Sequence, residues 1–428
     1  MKRLLLTSAL LLPLSIQAQP LFHPTGANLT YGMNSLAPSV ISATSNPAAT
    51  ASNLSKGRTS TAVGLISSVG TSIEFGPIDN FSEQIDSLIT RLDEPVVTPE
   101  EGDAIKLEFD NFLQQAEKDG YVIANAAIHL PIMPLVFTSK SLGGALTFDI
   151  NASIQAYSGL LYSELIYNPG IQEMETNSAL YIKGAAVAEV SAGYSRQIWG
   201  NKHGGLYAGV TGKYYQVELT KNVISLNDTD DGLEDTLSEE FDQNQNSTTN
   251  FGIDLGLLWT ANHYSLGVTL ANANAPQFDY GSLGSNCDQL TGTAQSNCYT
   301  ATSHSNKIDL TETYTMDPQV RLEATLHSAN KHWLLSTSYD ANSVRGPVGN
   351  EIQWMSMALG YAPDNWIPGV RFGYRENLAG SQLSMATFGL TLLKGVNLDV
   401  AYGLEEVEHE GDKYPRTIAV NLGVEMRF

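Results

Sequence analysis

The chain has 428 residues, 45 acidic against 23 basic, for a formal net charge of −22. That balance offers nothing to neutralise phosphates and excludes a nucleic-acid binder. Mean hydropathy is −0.12, and no apolar run beyond the amino terminus is long enough for a transmembrane helix. A β-barrel stays open, because barrels alternate apolar and polar residues instead of clustering them.

The chain begins with a short basic region, Met1-Lys2-Arg3. An apolar run from Leu4 to Leu14 follows, too short to span a bilayer as a helix and interrupted by Pro13. With Ala18 as the cleavage residue, residues 1–18 read as a secretory signal peptide. Residues 19–58, rich in Ser, Asn, Ala and Pro, precede the first strand and carry Asn46-Pro47-Ala48. Residues 59–428 read as strands and loops.

Strand cores are predicted at 59–74, 121–130, 142–157, 178–195, 204–221, 249–260 and 263–271, then at 312–326, 331–340, 351–361, 367–375, 383–393, 396–404 and 416–428. That is about fourteen antiparallel strands, an even number, as a bacterial transmembrane barrel requires. Within them, Leu146, Phe148, Ile150 and Ile154 oppose Thr147, Asp149, Asn151 and Ser153. Leu322 and Leu326 oppose Arg321 and Glu323, Phe372 and Tyr374 oppose Arg371, and Leu398 and Val400 oppose Asp399. Side chains alternate faces along a strand, and a charge cannot face lipid cheaply. Asp149, Arg321, Glu323, Arg371 and Asp399 are therefore predicted to face the lumen, and the apolar set the outer-membrane lipid. The last strand, Ile418 to Phe428, shows the same alternation and ends on an aromatic residue. Phe428 is the expected handle for the barrel assembly machinery.

Connections after odd strands are mostly long and those after even strands mostly short, such as Ala261-Asn262 and Ser328-Ala329-Asn330. Long extracellular loops and short periplasmic turns give this pattern and put both termini in the periplasm. Trp199, Trp259, Trp333 and Trp366 stand beside short turns, as an interfacial girdle would. In the first long loop, residues 77–120, two helices are predicted. One carries the stripe Phe81, Ile85, Leu88, Ile89 and Leu92. The other starts at the capping box Thr98-Pro99-Glu100-Glu101 and carries Ile105, Phe109, Phe112, Leu113 and Ala116. These stripes are expected to pack on each other and on the barrel rim.

Cys287 and Cys298, close together in one polar stretch of an exported chain, are expected to form a disulfide. No Cys or His set has metal-ligand spacing, and no cofactor is expected. The acidic run Asp228 to Asp242 loosely follows a calcium loop, but Gly232 falls one place early, so a solvated loop is the better reading. Nucleophile-elbow, zinc-protease, phosphate-loop and dinucleotide motifs are all missing, so the chain is not expected to be an enzyme.

The segment Gly26-Ala27-Asn28, Tyr31-Gly32-Met33 and Ser42 to Ala49 resembles the amino-terminal segment of the long-chain fatty acid transporter (FadL-like) barrels. In that family the segment lies as a hatch inside a fourteen-stranded barrel. A closer similarity runs through most of the chain. Ala43 to Ala49, Asp119-Gly120-Tyr121, Gly143 to Leu146, Lys183 to Ala186 and Leu206 to Val210 together resemble the barrel family called conjugal transfer protein TraF. The resemblance implies an outer-membrane location and no particular activity.

Two functions compete. One is passive uptake of a small hydrophobic compound past a hatch formed near Asn46, Pro47 and Ala48; an apolar lumen beside the hatch would favour it. The other is an envelope structural or interaction protein linked to conjugal plasmid transfer; a lumen blocked by pairs such as Glu323 with Arg321 or Arg371 would favour that.

Overall fold

The computed structural model describes residues 26–37, 39–54, 60–92, 94–139, 141–226, 244–363, 367–393 and 395–427. The signal-peptide segment 1–18, the acidic run 228–242, Trp366 and Phe428 lie outside them. Fifteen segments share one antiparallel sheet, two of them halves of one interrupted strand, so the wall has fourteen strands. They are β1 (Ser60–Phe75), β2 (Tyr121–His129 and Leu135–Ser139), β3 (Gly144–Leu161), β4 (Ala179–Asn201), β5 (Gly204–Ser225), β6 (Asn246–Ala261) and β7 (Tyr264–Ala271). The second half comprises β8 (Gln319–His327), β9 (Trp333–Asp340), β10 (Trp354–Tyr361), β11 (Gly369–Asn377), β12 (Ser384–Leu392), β13 (Val396–Gly403) and β14 (Thr417–Arg427). β14 closes on β1, with Val63 opposite Met426 and Thr71 opposite Val420. Closure leaves no open edge and satisfies the backbone polar groups within lipid.

All fourteen predicted cores correspond to these strands. β3, β4 and β5 run four to six residues past their predicted ends, and three other cores differ in extent beside a break in backbone pairing. The stretch predicted at 312–326 splits at Pro318, which has no N–H to donate. Thr313–Thr315 pairs with Gln277–Asp279 in a two-stranded ribbon of the long loop, and β8 starts after the proline. Glu351–Ile352, predicted as the start of a strand, pairs instead with Val344–Arg345. β2 was expected to end near Leu130. It resumes at Leu135 after an interruption containing Pro131 and Pro134, and both halves pair with β1 and β3.

The faces sort as alternation requires. Leu255, Leu257, Leu322, Phe372 and Leu422 point outward, while Asp149, Arg321, Glu323, Arg371 and Asp399 are buried inside. At the short-turn end, the Trp199 and Trp259 rings stack 5.6 Å apart and Trp333 lies 4.8 Å from Tyr361. No helix among the described residues is long and apolar enough to cross a membrane.

Five helices bear on the lumen or the first long loop. α1 (Asn28–Tyr31), α2 (Val40–Ala43) and α3 (Ala49–Leu54) belong to the segment before β1. α4 (Phe81–Leu92) and α5 (Pro99–Asp119) fill the first long loop. Their stripes pack on each other and on Leu160, Leu180 and Ile224 at the rim. Thr98 Oγ1 accepts from Glu101 N–H at 3.2 Å, capping α5. A further helix, α6 (Gly292–Ser303), was not expected. Its sequence is polar all round and carries no 3.6-residue stripe. The Cys287–Cys298 disulfide, Cα atoms 5.5 Å apart, ties α6 to the turn before it.

Candidate functional site

The lumen is filled by the segment before β1. α1 ends at Gly32, whose φ of 63° lies in the left-handed region where glycine carries no Cβ penalty. Ser39 Oγ caps α2 by accepting from Ser42 N–H. Asn46 then makes the turn its residue type favours, its Oδ1 accepting from Ala48 N–H at 2.9 Å while Ala49 N–H donates to the Asn46 carbonyl at 2.9 Å. Pro47 fixes the turn between them, and α3 follows. Asn46, Ala48 and Ala49 are fully buried.

The wall is shaped to receive this turn. Gly209 on β5 and Gly256 on β6 face inward, and a Cβ on either would collide with the Asn46-Pro47-Ala48 backbone or the Asn46 side chain. Lacking side chains, they let plug and wall approach to van der Waals contact.

Three inward carboxylates grip the plug. Glu323 on β8 accepts from Ser35 N–H at 2.7 Å, Ser35 Oγ at 2.6 Å and Asn46 Nδ2 at 2.8 Å. Asp399 on β13 accepts from Thr30 N–H at 2.9 Å. Glu425 on β14 accepts from Val40 N–H at 2.6 Å and Ser39 Oγ at 2.9 Å. Thr30 and Val40 lie in the first turns of α1 and α2, where backbone amides have no intrahelical acceptor, and the carboxylates supply one. Ser195 Oγ adds a bond from Ala51 N–H at 3.0 Å, and Asn34 Nδ2 reaches the Thr337 carbonyl at 3.1 Å.

The other predicted lumen residues divide. Arg371 pairs with Asp399, its Nε 2.7 Å from Oδ1, and lies over the Tyr31 ring at 5.6 Å. Arg321 pairs with Asp340, Nε to Oδ1 at 3.1 Å. Glu323 thus bonds the plug and not Arg321 or Arg371, while both arginines pair with other lumen carboxylates, the kind of arrangement expected to favour the envelope-protein alternative. Asp149 bonds the wall and not the plug. It sits 3.0 Å from His129 Nδ1 in a second polar cluster, where Lys213 Nζ is 2.9 Å from Asp254 and 3.5 Å from Glu189. That cluster faces Pro47 and Thr50 across a small space. Sequence reading did not single out Glu425, Ser195, Lys213 or Arg375, although alternation already set Arg375 on the inward face with Arg371. Alternation in β14 does turn Glu425 inward, so its facing was legible although its role was not.

Beyond the plug, toward the long loops, lies a cavity of about 760 Å³, floored by Leu29 and Met33 of the plug. Its walls carry both signs of charge, including Lys183, Glu312, Asp340 and Arg375, beside Tyr121, Tyr157, Tyr181 and Trp354. This is not the apolar passage that uptake of a hydrocarbon would lead one to expect. On the long-loop side, burial pushes the Asp317 carboxyl up and Arg345 opposes it. In the long loops Glu83, His409 and Glu410 converge, with His409 Nδ1 2.7 Å from Glu83, pinning the tip of the last hairpin to α4.

Among solved structures, the chain is similar to the Ralstonia pickettii toluene transporter TbuX at 12% identity, covering 96% of this chain and 98% of that one, with a TM-score of 0.42. It is similar to a Pseudomonas aeruginosa FadL homologue at 10% identity, covering 96% and 97%, with a TM-score of 0.39. It is also similar to outer membrane phospholipase A from Escherichia coli at 9% identity, covering 84% and 92%, with a TM-score of 0.25. No curated protein matches the chain. Residues 43–340, from the buried Asn46 turn to the end of β9, match the family described as "F plasmid transfer operon, TraF, protein", and the chain belongs to that family.

Proposed function

We propose that this protein is an outer-membrane barrel that passes a small, largely apolar compound inward by displacement of its plug. The observation that carries the reading is the way the plug is held. It is gripped by a limited set of hydrogen bonds to three carboxylates, directly beneath a cavity of ligand size. The plug also packs on the wall through small apolar clusters, Leu29 with Met385 and Ala48 with Leu258 among them. The carboxylate contacts beside them are polar and reversible, so a ligand that competes for those bonds shifts the plug between seated and displaced states. Asn46, Pro47 and Ala48 form the gate in this reading, because Asn46 joins the turn to Glu323 and Pro47 limits the turn's conformations.

Deletion of residues 20–52 tests the proposal. The truncated barrel should fold, judged by heat-modifiable gel mobility, and should pass small solutes across reconstituted bilayers faster than the intact protein. Pro47→Gly should act in the same direction more weakly by loosening the turn. A folded deletion variant with unchanged conductance would rule out uptake and favour an envelope interaction protein acting through its outer loops.

A further inference from the structure

The second polar cluster of the inner wall takes no part in gripping the plug. It runs across neighbouring strands, with His129 on β2, Asp149 and Asn151 on β3, Glu189 on β4, Lys213 on β5 and Asp254 on β6. All six side chains are more than nine-tenths buried. Antiparallel pairing sets them side by side, with His129 opposite Asn151 and Asn151 opposite Glu189. Among the described residues, the three carboxylates bond the barrel and not the plug.

The charges of this cluster do not balance. Lys213 Nζ lies 2.9 Å from Asp254 and 3.5 Å from Glu189, so one ammonium serves two carboxylates. His129 Nδ1 lies 3.0 Å from Asp149 Oδ1, a bond that the neutral imidazole satisfies by donating. Three negative charges then stand against one positive, which leaves two in excess inside the wall. Buried charge without a counter-charge is costly.

Two oxygens mark where a counter-charge belongs. Asn151 Oδ1 has no hydrogen-bond donor among the described residues, and Glu189 Oε2 has only the long ion pair to Lys213. Asn151 Nδ2 donates to Glu189 Oε1 at 3.4 Å, which fixes the orientation of the amide. Both residues line a space of about 50 Å³ between wall and plug, faced by Thr44, Ser45, Pro47 and Thr50. That is room for one ion and a few waters. The Thr44 and Ser45 hydroxyls donate to plug carbonyls, so their lone pairs stay open to an ion or its waters.

We propose that this junction binds one calcium ion, which latches the plug to the wall. The available ligand atoms are carboxylate, amide and hydroxyl oxygens, the set that suits a hard cation, and the two excess charges suit a divalent one. The cluster is not a closed chelate of converging side chains, as Glu83, His409 and Glu410 are in the long loops. Asp149, Glu189 and Asn151 supply the protein ligands and water completes the shell, an irregular arrangement that calcium accepts and magnesium resists. The inference does not rest on the transport reading. An ion that joins wall to plug opposes plug opening whatever that opening serves.

The test uses the full-length protein in detergent, stripped with a chelator and titrated with Ca²⁺ by calorimetry. Glu189→Gln and Asn151→Leu should each weaken Ca²⁺ binding at least about tenfold, the lower end of what even outer-shell changes do to metal affinity. Asn151→Leu leaves the charge of the cluster unaltered, so its effect separates a ligand from general attraction. Glu83→Gln, in the long-loop cluster, should leave the affinity unchanged. With Ca²⁺ at ten times its dissociation constant, amide exchange in residues 44–50 should slow about tenfold, as expected for an ion that binds only the seated plug. Heat-modifiable mobility checks that each variant is a folded barrel. No Ca²⁺ binding at millimolar concentration, or undiminished binding in folded Glu189→Gln, would overturn the site. Binding that leaves exchange in the plug unaltered would overturn the latch. A flux increase on deleting residues 20–52 without any Ca²⁺ binding by the intact protein means that uptake stands and the calcium site fails. Calcium binding with no such increase means the reverse.

Discussion

Asn46 and Glu323, 277 residues apart in sequence, meet inside the barrel with Asn46 Nδ2 2.8 Å from Glu323 Oε1. The contact joins the tightest turn of the plug to the middle of β8. The same carboxylate accepts from the amide and hydroxyl of Ser35, so one side chain fastens two parts of the plug.

Replacing Glu323 with alanine should therefore release the plug at two points. Three buried donors lose a charged acceptor, each such bond worth about 1.5–3 kcal/mol, and Asn46 Nδ2 keeps only its longer bonds to the Leu257 and Val268 carbonyls. Amide hydrogen exchange in residues 28–51 should quicken by at least about tenfold, since local opening responds to the free energy of the contacts holding it closed. The strands should keep their protection. Unchanged exchange in the plug of the alanine variant would show that Glu323 does not hold it.

Gly209 and Gly256 lead to a steric version of the same experiment. Valine at either position would drive a side chain into the Asn46-Pro47 turn, and overpacking of this kind costs about 1–3 kcal/mol. The turn should leave its seat before the wall gives way, because the wall is tied into ladders on both sides. Solute flux through Gly209→Val should rise toward that of the barrel lacking residues 20–52. Flux equal to the unaltered protein, in a barrel of normal heat-modifiable mobility, would place the rigidity in the plug instead.

The disulfide should act locally. Cys287 and Cys298 are 11 residues apart, and closing so short a loop is worth roughly 2–3 kcal/mol on a chain-entropy estimate. The gain falls on α6 and its turn, outside the wall. Cys287→Ser with Cys298→Ser should make the region near Gly292–Ser303 more protease-sensitive and leave the thermal unfolding of the barrel within a few degrees of the parent. A large drop in barrel stability would contradict this.

Orientation can be read by labelling. Gly170 is exposed in the connection between β3 and β4, on the long-loop side, and Asn330 is exposed in the short turn between β8 and β9. With the native cysteines removed, Gly170→Cys should react with an impermeant maleimide on intact cells and Asn330→Cys only after lysis. The reverse pattern would invert the topology. Trp199, Trp259 and Trp333 would then mark the outer interface.

The sequence by itself determined the wall. Period-two alternation is a local property, so the opposed sets around Asp149, Arg321, Glu323, Arg371 and Asp399 could be assigned to the lumen without any knowledge of pairing. Loop lengths, the two stripes of α4 and α5, the turn at Asn46-Pro47 and the cysteine pair were legible for the same reason, each being encoded within a few residues. Local signals failed where prolines or polarity hide them, as in the resumed half of β2 and in α6. Only the tertiary structure decided what each inward side chain meets. Barrel closure and the stagger of its strands bring residues from distant strands around one plug, and those radial distances have no counterpart in any sequence window. Glu323 thus turned out to bond Ser35 and Asn46 and not a neighbouring arginine, Glu425 to hold Val40, and Arg375 to lie buried beside the plug with no carboxylate of its own.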